Sequence, residues 1–332
     1  MGTGSYTELS HHPPSGIPVP DDTASTLTFR QVTEMCLESK KDTLKRSTYN
    51  QYWNQCNNHL LNEIGDEIFA DLTEERLNNL LKTKLQEGYQ FSTVMNLRTI
   101  LMMILRYAMQ NHIPTNVTGP LFTPRYRAKE MQVFTRWEQK QIEDLLFTRK
   151  DDYILAVFLS MYCGLRIGEV CALQWKDIHF RNGTLSVTKT LCRIQDNGTT
   201  SKKTYVASVL PKTHSSIRTI PIPTFLMPLL RQHRKKDTDY VITGTECSME
   251  PRTCLRRFKT ILKHAKVSNY SFHALRHTFA TRCVETGMDT KSLSEILGHS
   301  TVKITLDRYV HPSMDFKRAQ INRLKKVTKL DV

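Results

Sequence analysis

Between residues 113 and 133 the chain reads IPTNVTGPLFTPRYRAKEMQV. Pro114, Pro120 and Pro124 each lack the N–H that a helix or a central strand needs, and Gly119 adds a further break. No regular element runs through such a stretch, so the chain must fold as two bodies joined by a linker. At 332 residues each side is long enough to bury its own core. Arg125, Arg127 and Lys129 in this extended segment suit a clamp passing around a polyanion, with a plain hinge as the equal alternative.

Before the break, residues 27–112 carry helical periodicity. TFRQVTEMCLESK sets Phe29, Val32, Met35 (or Cys36) and Leu37 near one face, and Ser47–Thr48 precede YNQYWNQCNNHLLNEI. Thr73 is placed to cap a helix bearing Leu77, Leu80, Leu81 and Leu85. Ser92 is expected to open the next, with Val94, Leu97, Leu101, Ile104, Leu105 and Ala108 inward. Four short helices make one bundle of ordinary domain size. Lys82, Lys84, Arg98 and Arg106 are candidates to face phosphates, against a solvated surface as the plain reading. Residues 1–26, with the proline-rich HHPPSGIPVPDD, are expected to be a flexible tail outside the fold.

After the break, Thr135 caps RWEQKQIEDLLF, and an apolar helix spans 151–163 up to Gly164. GLRIGE then leads into a short helix ending near Leu173. GTLSVTKTLCRI, KTYVASVLPK and SIRTIPI read as strands, and helical patterns resume from Pro223. The expected fold is multidomain and mainly α: a helical bundle, then a mixed α+β domain with a small antiparallel sheet.

A formal net charge of +15 favours a polyanionic partner, either nucleic acid or an anionic membrane. The best apolar run, YILAVFLSMYC, is far shorter than the roughly 20 residues that cross a bilayer. Nucleic acid is therefore preferred and no membrane partner is expected. The eight cysteines form no C-x-x-C pair, so a zinc site is poorly supported and free thiols are expected.

The chemistry gathers in SFHALRHTFATRCVETGMDTKSLSEILGHSTVKITLDRY, residues 271–309. Asn269 or Ser271 is placed to cap a helix ending at Gly287, with Phe272, Leu275, Phe279 and Val284 buried. His273, Arg276 and His277 stand at i, i+3 and i+4, so they share the opposite, exposed face. A guanidinium beside two imidazoles is an anion site in the making, although alone it reads as a surface cluster. Gly298 ends the following helix as an αL cap, so His299 sits past a tight turn where a ligand can approach. Ser300 or Thr301 is expected to cap the last helix, whose Val302, Leu306 and Tyr309 stack along one side; a tyrosine there is, by itself, usually core. Histidine, arginine and tyrosine without a carboxylate pair or a cysteine set suggest work on a phosphodiester.

GLRIGE, HALRHT, LGHS and a tyrosine ten residues after that histidine occur in this order over about 150 residues. Together they resemble the tyrosine recombinase (phage-integrase) family, and the likeness runs from about Leu27 to the C-terminus. The resemblance implies a core-binding domain over 27–112, a linker over 113–133, a catalytic domain over 134–314 and a C-terminal exchange helix or tail over 315–332. It implies Tyr309 as nucleophile, Arg166, His273, Arg276 and His299 as its catalytic partners, and Lys212 as general acid, with Lys202 and Lys203 as rivals. Glu169 falls at the acidic position that orients Arg166, and His277 at a supporting position. His273 is the candidate, by analogy, to assist deprotonation of the tyrosine.

The implied activity is site-specific DNA recombination through a 3′-phosphotyrosine, with no cofactor, metal or ATP. Implied partners are double-stranded DNA with inverted-repeat core sites, a homotetramer that exchanges C-terminal helices, and an excision factor, in a prokaryotic, nucleoid-associated cytoplasmic setting. Only a short stretch precedes Leu27, so either the protein works without arm sites or an arm-binding domain is missing. A type IB topoisomerase-like enzyme and a non-catalytic DNA-binding protein are the alternatives.

Overall fold

The computed structural model describes residues 25–124, 131–195, 204–209 and 216–309, together with Arg318 and Ile321. The chain divides into two compact units, Met1–Ala128 and Lys129–Val332. Their cores share no residue.

In the first unit, α1 (Phe29–Glu38) opens with a reciprocal capping box between Thr28 and Gln31. Its buried face takes Cys36; the alternative, Met35, is only half-buried. α2 (Arg46–Gln55) starts ahead of Ser47 and Thr48, with no side-chain cap, and runs into a π-helical turn (Cys56–Leu60) and α3 (Leu61–Ile64). That wider turn shifts the helix phase, so Cys56, Leu60, Leu61 and Ile64 all reach the core. Thr73 caps α4 (Glu74–Gln86) by accepting from the Arg76 N–H, as its sequence predicts. α5 (Phe91–Gln110) begins one residue before Ser92 and has no side-chain cap; its apolar row from Val94 to Ala108 is buried.

Lys84 corrects a charge reading. It is 5% exposed, and its ammonium donates to Glu63 (2.8 Å) and Glu87 (3.0 Å). A lysine so enclosed is a structural cation and is withdrawn as a phosphate contact.

In the second unit, Thr135 and Glu138 form the capping box of α6 (Arg136–Phe147). α7 (Ile154–Cys163) is apolar on nearly every side and becomes the central helix, shorter at its start than the expected 151–163. α8 (Ile167–Ala172) follows. β1 (Ile178–His179), β2 (Thr184–Val187) and β5 (Arg218–Pro221) make an antiparallel sheet with Leu185 opposite Ile220. β3 (Thr190–Gln195) and β4 (Thr204–Val209) form a separate antiparallel hairpin.

Gly168 lets α8 lie against β3, since a Cβ there would meet the Thr190 hydroxyl at 2.4 Å. After α9 (Met227–His233), α10 (Pro251–His264) buries Cys254, Phe258, Ile261 and Leu262 along one stripe. The last helices are α11 (His273–Glu285), α12 (Thr290–Leu297) and α13 (Val302–Tyr309). The mainly helical, two-part fold with small antiparallel sheets is the one the sequence predicts.

Two helix faces differ from the sequence reading. α11 packs beside α7 and is buried on several sides, so Arg276 is 1% exposed instead of sharing an open face with His273 and His277. Its N-cap is Phe272 without a side-chain bond, so neither Asn269 nor Ser271 caps it. α13 is also turned: Thr305 (0%) and Tyr309 (6%) face inward while Val302 (37%) and Leu306 (43%) face solvent. Thr305 bonds to His299, and this polar anchor sets the inward face that the apolar pattern alone places elsewhere.

Candidate active site

Two helix ends create the site. α7 stops at Gly164 in the left-handed region (φ 67), where a Cβ would come within 2.7 Å of Phe279. α12 stops at Gly298 in the same conformation (φ 63). Each end leaves backbone carbonyls without helical partners. Three arginines take them up. Arg276 donates to Gly164 O (2.7 Å) and Leu297 O (2.6 Å), Arg218 to Ile296 O (2.6 Å), and Arg166 to Gly298 O (3.3 Å). Successive carbonyls at the negative end of α12 thus hold three cations together.

Glu169 balances part of that charge. Its Oε1 accepts from Arg166 (2.7 Å) and Arg218 (3.0 Å), and its Oε2 from the Arg166 backbone N–H (2.9 Å) and Arg218 (2.9 Å). Burial alone would raise this carboxyl, but the hydrogen bond and charge of Arg218, then Arg166, hold it down at about 2. Burial, with Arg166 and Arg218 nearby, pushes Arg276 down to about 9, so it stays cationic at neutral pH. Three guanidiniums against one carboxylate leave an excess of positive charge, suited to an anion.

The aromatic groups complete the arrangement. The Tyr309 hydroxyl and His277 Nδ1 are hydrogen-bonded at 2.9 Å, and the His273 ring stands edge-on to His277 with centroids 4.5 Å apart. His299 lies parallel to the Tyr309 ring at 6.3 Å and shares a 2.8 Å hydrogen bond between Nδ1 and the Thr305 hydroxyl. Ala280, Cys283, Leu293 and Leu297 pack around Tyr309. Arg166, with 34% of its side chain exposed, is the most open cation of the cluster, beside half-buried His273, His277 and His299.

Residues 135–315 match the phage integrase family, and residues 29–117 match the phage integrase central domain. The chain belongs to the phage integrase family. It is a tyrosine-class, site-specific DNA recombinase. A XerC-like tyrosine recombinase of Caldanaerobacter subterraneus is 31% identical over 300 residues, covering 80% of this chain and 74% of that one. The Tn1549 transposon integrase bound to circular-intermediate DNA superposes with a TM-score of 0.70 at 21% identity, over 88% of this chain and 99% of that one. A lambda integrase tetramer on a Holliday junction gives a TM-score of 0.63 at 18% identity, over 88% and 82%.

In this recombinase the structure brings Arg166, Glu169, Arg276, His273, His277, His299 and Tyr309 into one cluster, although about 140 residues of sequence separate the first from the last. Lys212, Lys202 and Lys203, and the linker residues Arg125, Arg127 and Lys129, lie outside the described residues. In the first unit Arg98 donates to Leu121 O (3.2 Å), tying α5 to the chain after it, and Arg106 is exposed. No described helix is long and apolar enough to cross a membrane.

Two participants escaped the sequence reading. Arg218 was legible in principle: it shares a strand face with buried Ile220, and a cation on an apolar face announces a buried partner. Thr305 carries no such signal, because only the turn at Gly298 brings His299 back onto it.

Proposed function

We propose that Tyr309 attacks a phosphodiester of double-stranded DNA at a recombination site, forming a 3′-phosphotyrosine that a second strand's 5′-hydroxyl later resolves. The 2.9 Å contact between the Tyr309 hydroxyl and His277 Nδ1, beside three arginines, carries this reading. A free phenol ionises near pH ~10, so attack at neutral pH needs a proton acceptor. His277 is in hydrogen-bond contact with the Tyr309 hydroxyl, so we give it a share in the role that the resemblance gave His273, which packs beside it.

Attack places negative charge on the nonbridging oxygens. Arg166 and Arg276 supply guanidinium donors there and His299 a further one, held in place before the reaction by the carbonyls and by Thr305. Lys212, on the segment entering β5, protonates the leaving 5′-oxygen. The phosphotyrosine retains the energy of the bond it replaces, so rejoining is the reverse of the same step.

The substrates we infer are the ends of a mobile element and its target, in line with the transposon integrase of the same fold. We further propose a tetramer on DNA, as in the lambda integrase complex, with residues 315–332 exchanged between subunits and the domain bounds set out above. An excision factor and a nucleoid-associated, cytoplasmic setting belong to the same proposal.

A nicked suicide duplex of the element's end, incubated with chelator and without ATP, tests the chemistry. The native chain is expected to form a covalent protein–DNA adduct, and Tyr309→Phe none while still binding the duplex. An adduct on Tyr309→Phe would sink the assignment of the nucleophile.

A further inference from the structure

Arg218 is 6% exposed in its side chain and donates to Glu169, Ser216 and Ile296. Its Nη1 and Nη2 grip both oxygens of Glu169 (3.0 and 2.9 Å), Nη1 also reaches Ser216 O (3.1 Å), and Nε reaches Ile296 O (2.6 Å). A two-pronged grip fixes the plane of a carboxylate as well as its position.

That plane matters because of what else uses it. With Arg218 in place, Oε1 points at Arg166 Nη1 and Oε2 at the Arg166 backbone N–H. Arg166 is the N-cap of α8 and has no hydroxyl or carboxylate of its own to cap with; Glu169 supplies the return bond. Its guanidinium, a third exposed, is held by Glu169 and by Gly298 O. A rotated Glu169 would move the Arg166 fork away from the position it holds.

Arg218 also binds the same carbonyl row as the other two arginines: Ile296 for Arg218, Leu297 for Arg276 and Gly298 for Arg166. Through Ser216 O it ties the start of β5, directly after the segment that holds Lys212, to this frame.

We propose that Arg218 is a positioning residue for the recombination reaction: it fixes Glu169, and through Glu169 the guanidinium of Arg166, against the end of α12. The inference rests on Arg166 acting at the scissile phosphate, as proposed above. It assigns Arg218 no contact with DNA. Its work is the orientation of a second arginine, which a lysine of equal charge cannot perform because it lacks the planar fork.

The test is single-turnover adduct formation by the full chain on the nicked duplex, with duplex affinity measured separately. The proteins are the native chain, Arg166→Lys, Arg218→Lys and the double variant. Rate constant and amplitude are read apart, because lost fold lowers the fraction that reacts while a misplaced Arg166 slows the fraction that is folded.

Arg218→Lys is expected to slow the rate constant roughly 10- to 100-fold, the cost of a misplacement of about an ångström, with affinity changed less than about twofold. Added to Arg166→Lys, it is expected to cost less than about threefold more, because both changes break one unit. A native rate constant in Arg218→Lys overturns the inference, whatever the amplitude, and so do losses that multiply in the double variant. A native chain that forms no adduct overturns the parent reading as well, which separates the two failures.

Discussion

Glu169 and Thr305 act on the site without facing its opening. The Glu169 carboxyl sits at about 2 in the folded chain, below its ordinary 4.5. Its contribution to stability is therefore fully present above about pH 4.5 and is lost as pH falls towards about 2. A shift of this size on a buried group corresponds to about 3 kcal/mol at neutral pH. We expect melting temperatures recorded between about pH 6 and pH 2 to fall less steeply for Glu169→Gln than for the native chain. An unchanged slope would mean that the carboxylate is paired no better folded than unfolded.

Thr305 offers a cleaner separation of stability from chemistry. Valine has nearly its shape but cannot bond to His299 Nδ1, so the ring loses the hydrogen bond that favours its orientation and tautomer. Thr305→Val is expected to melt within a few degrees of the native chain and to form adduct roughly tenfold more slowly. A native rate would remove Thr305 from the mechanism.

At the scale of elements, the end of α12 is the frame on which three cations are set. Gly298 and Gly164 both hold left-handed backbone, which costs an alanine about 1–2 kcal/mol. An added Cβ at Gly164 would also press on Phe279 and Leu297, so Gly164→Ala should lose more than the conformational term alone. Urea unfolding is expected to show a loss above about 2 kcal/mol for Gly164→Ala. A loss of only about 1 kcal/mol would show that Phe279 yields without cost. Which helix faces lie inside was only partly readable at this scale. α10 buries a single stripe, whereas α11 is enclosed on several sides and its spacing does not single out one inward face.

At the scale of the molecule, the excess of +15 charges implies binding dominated by released counterions. The logarithm of affinity for the duplex should fall linearly with the logarithm of salt, by about 0.9 for each phosphate contacted. Exposed Arg106 and partly buried Arg98 can be told apart in that experiment. Arg106→Ala is expected to reduce the slope by about one if it meets a phosphate, and an unchanged slope would leave it a solvated surface charge. Arg98 already donates to Leu121 O, so its loss should also lower the stability of the first unit.

The sequence by itself determined the division into two bodies, the mainly helical class, the capping threonines at 73 and 135, the helix end at Gly164, the left-handed cap at Gly298, and the motif residues that cluster. These are legible because turn chemistry, capping and apolar period act over a few residues, and because four spaced motifs carry a family likeness. Only the tertiary structure decided that Arg276 is enclosed, that His277 meets the Tyr309 hydroxyl, that Thr305 instead of Val302 turns inward, and that Arg218 joins Glu169. Those depend on which helix ends meet. A carbonyl left open at the end of one helix finds its donor more than 100 residues away, and no local pattern records that pairing.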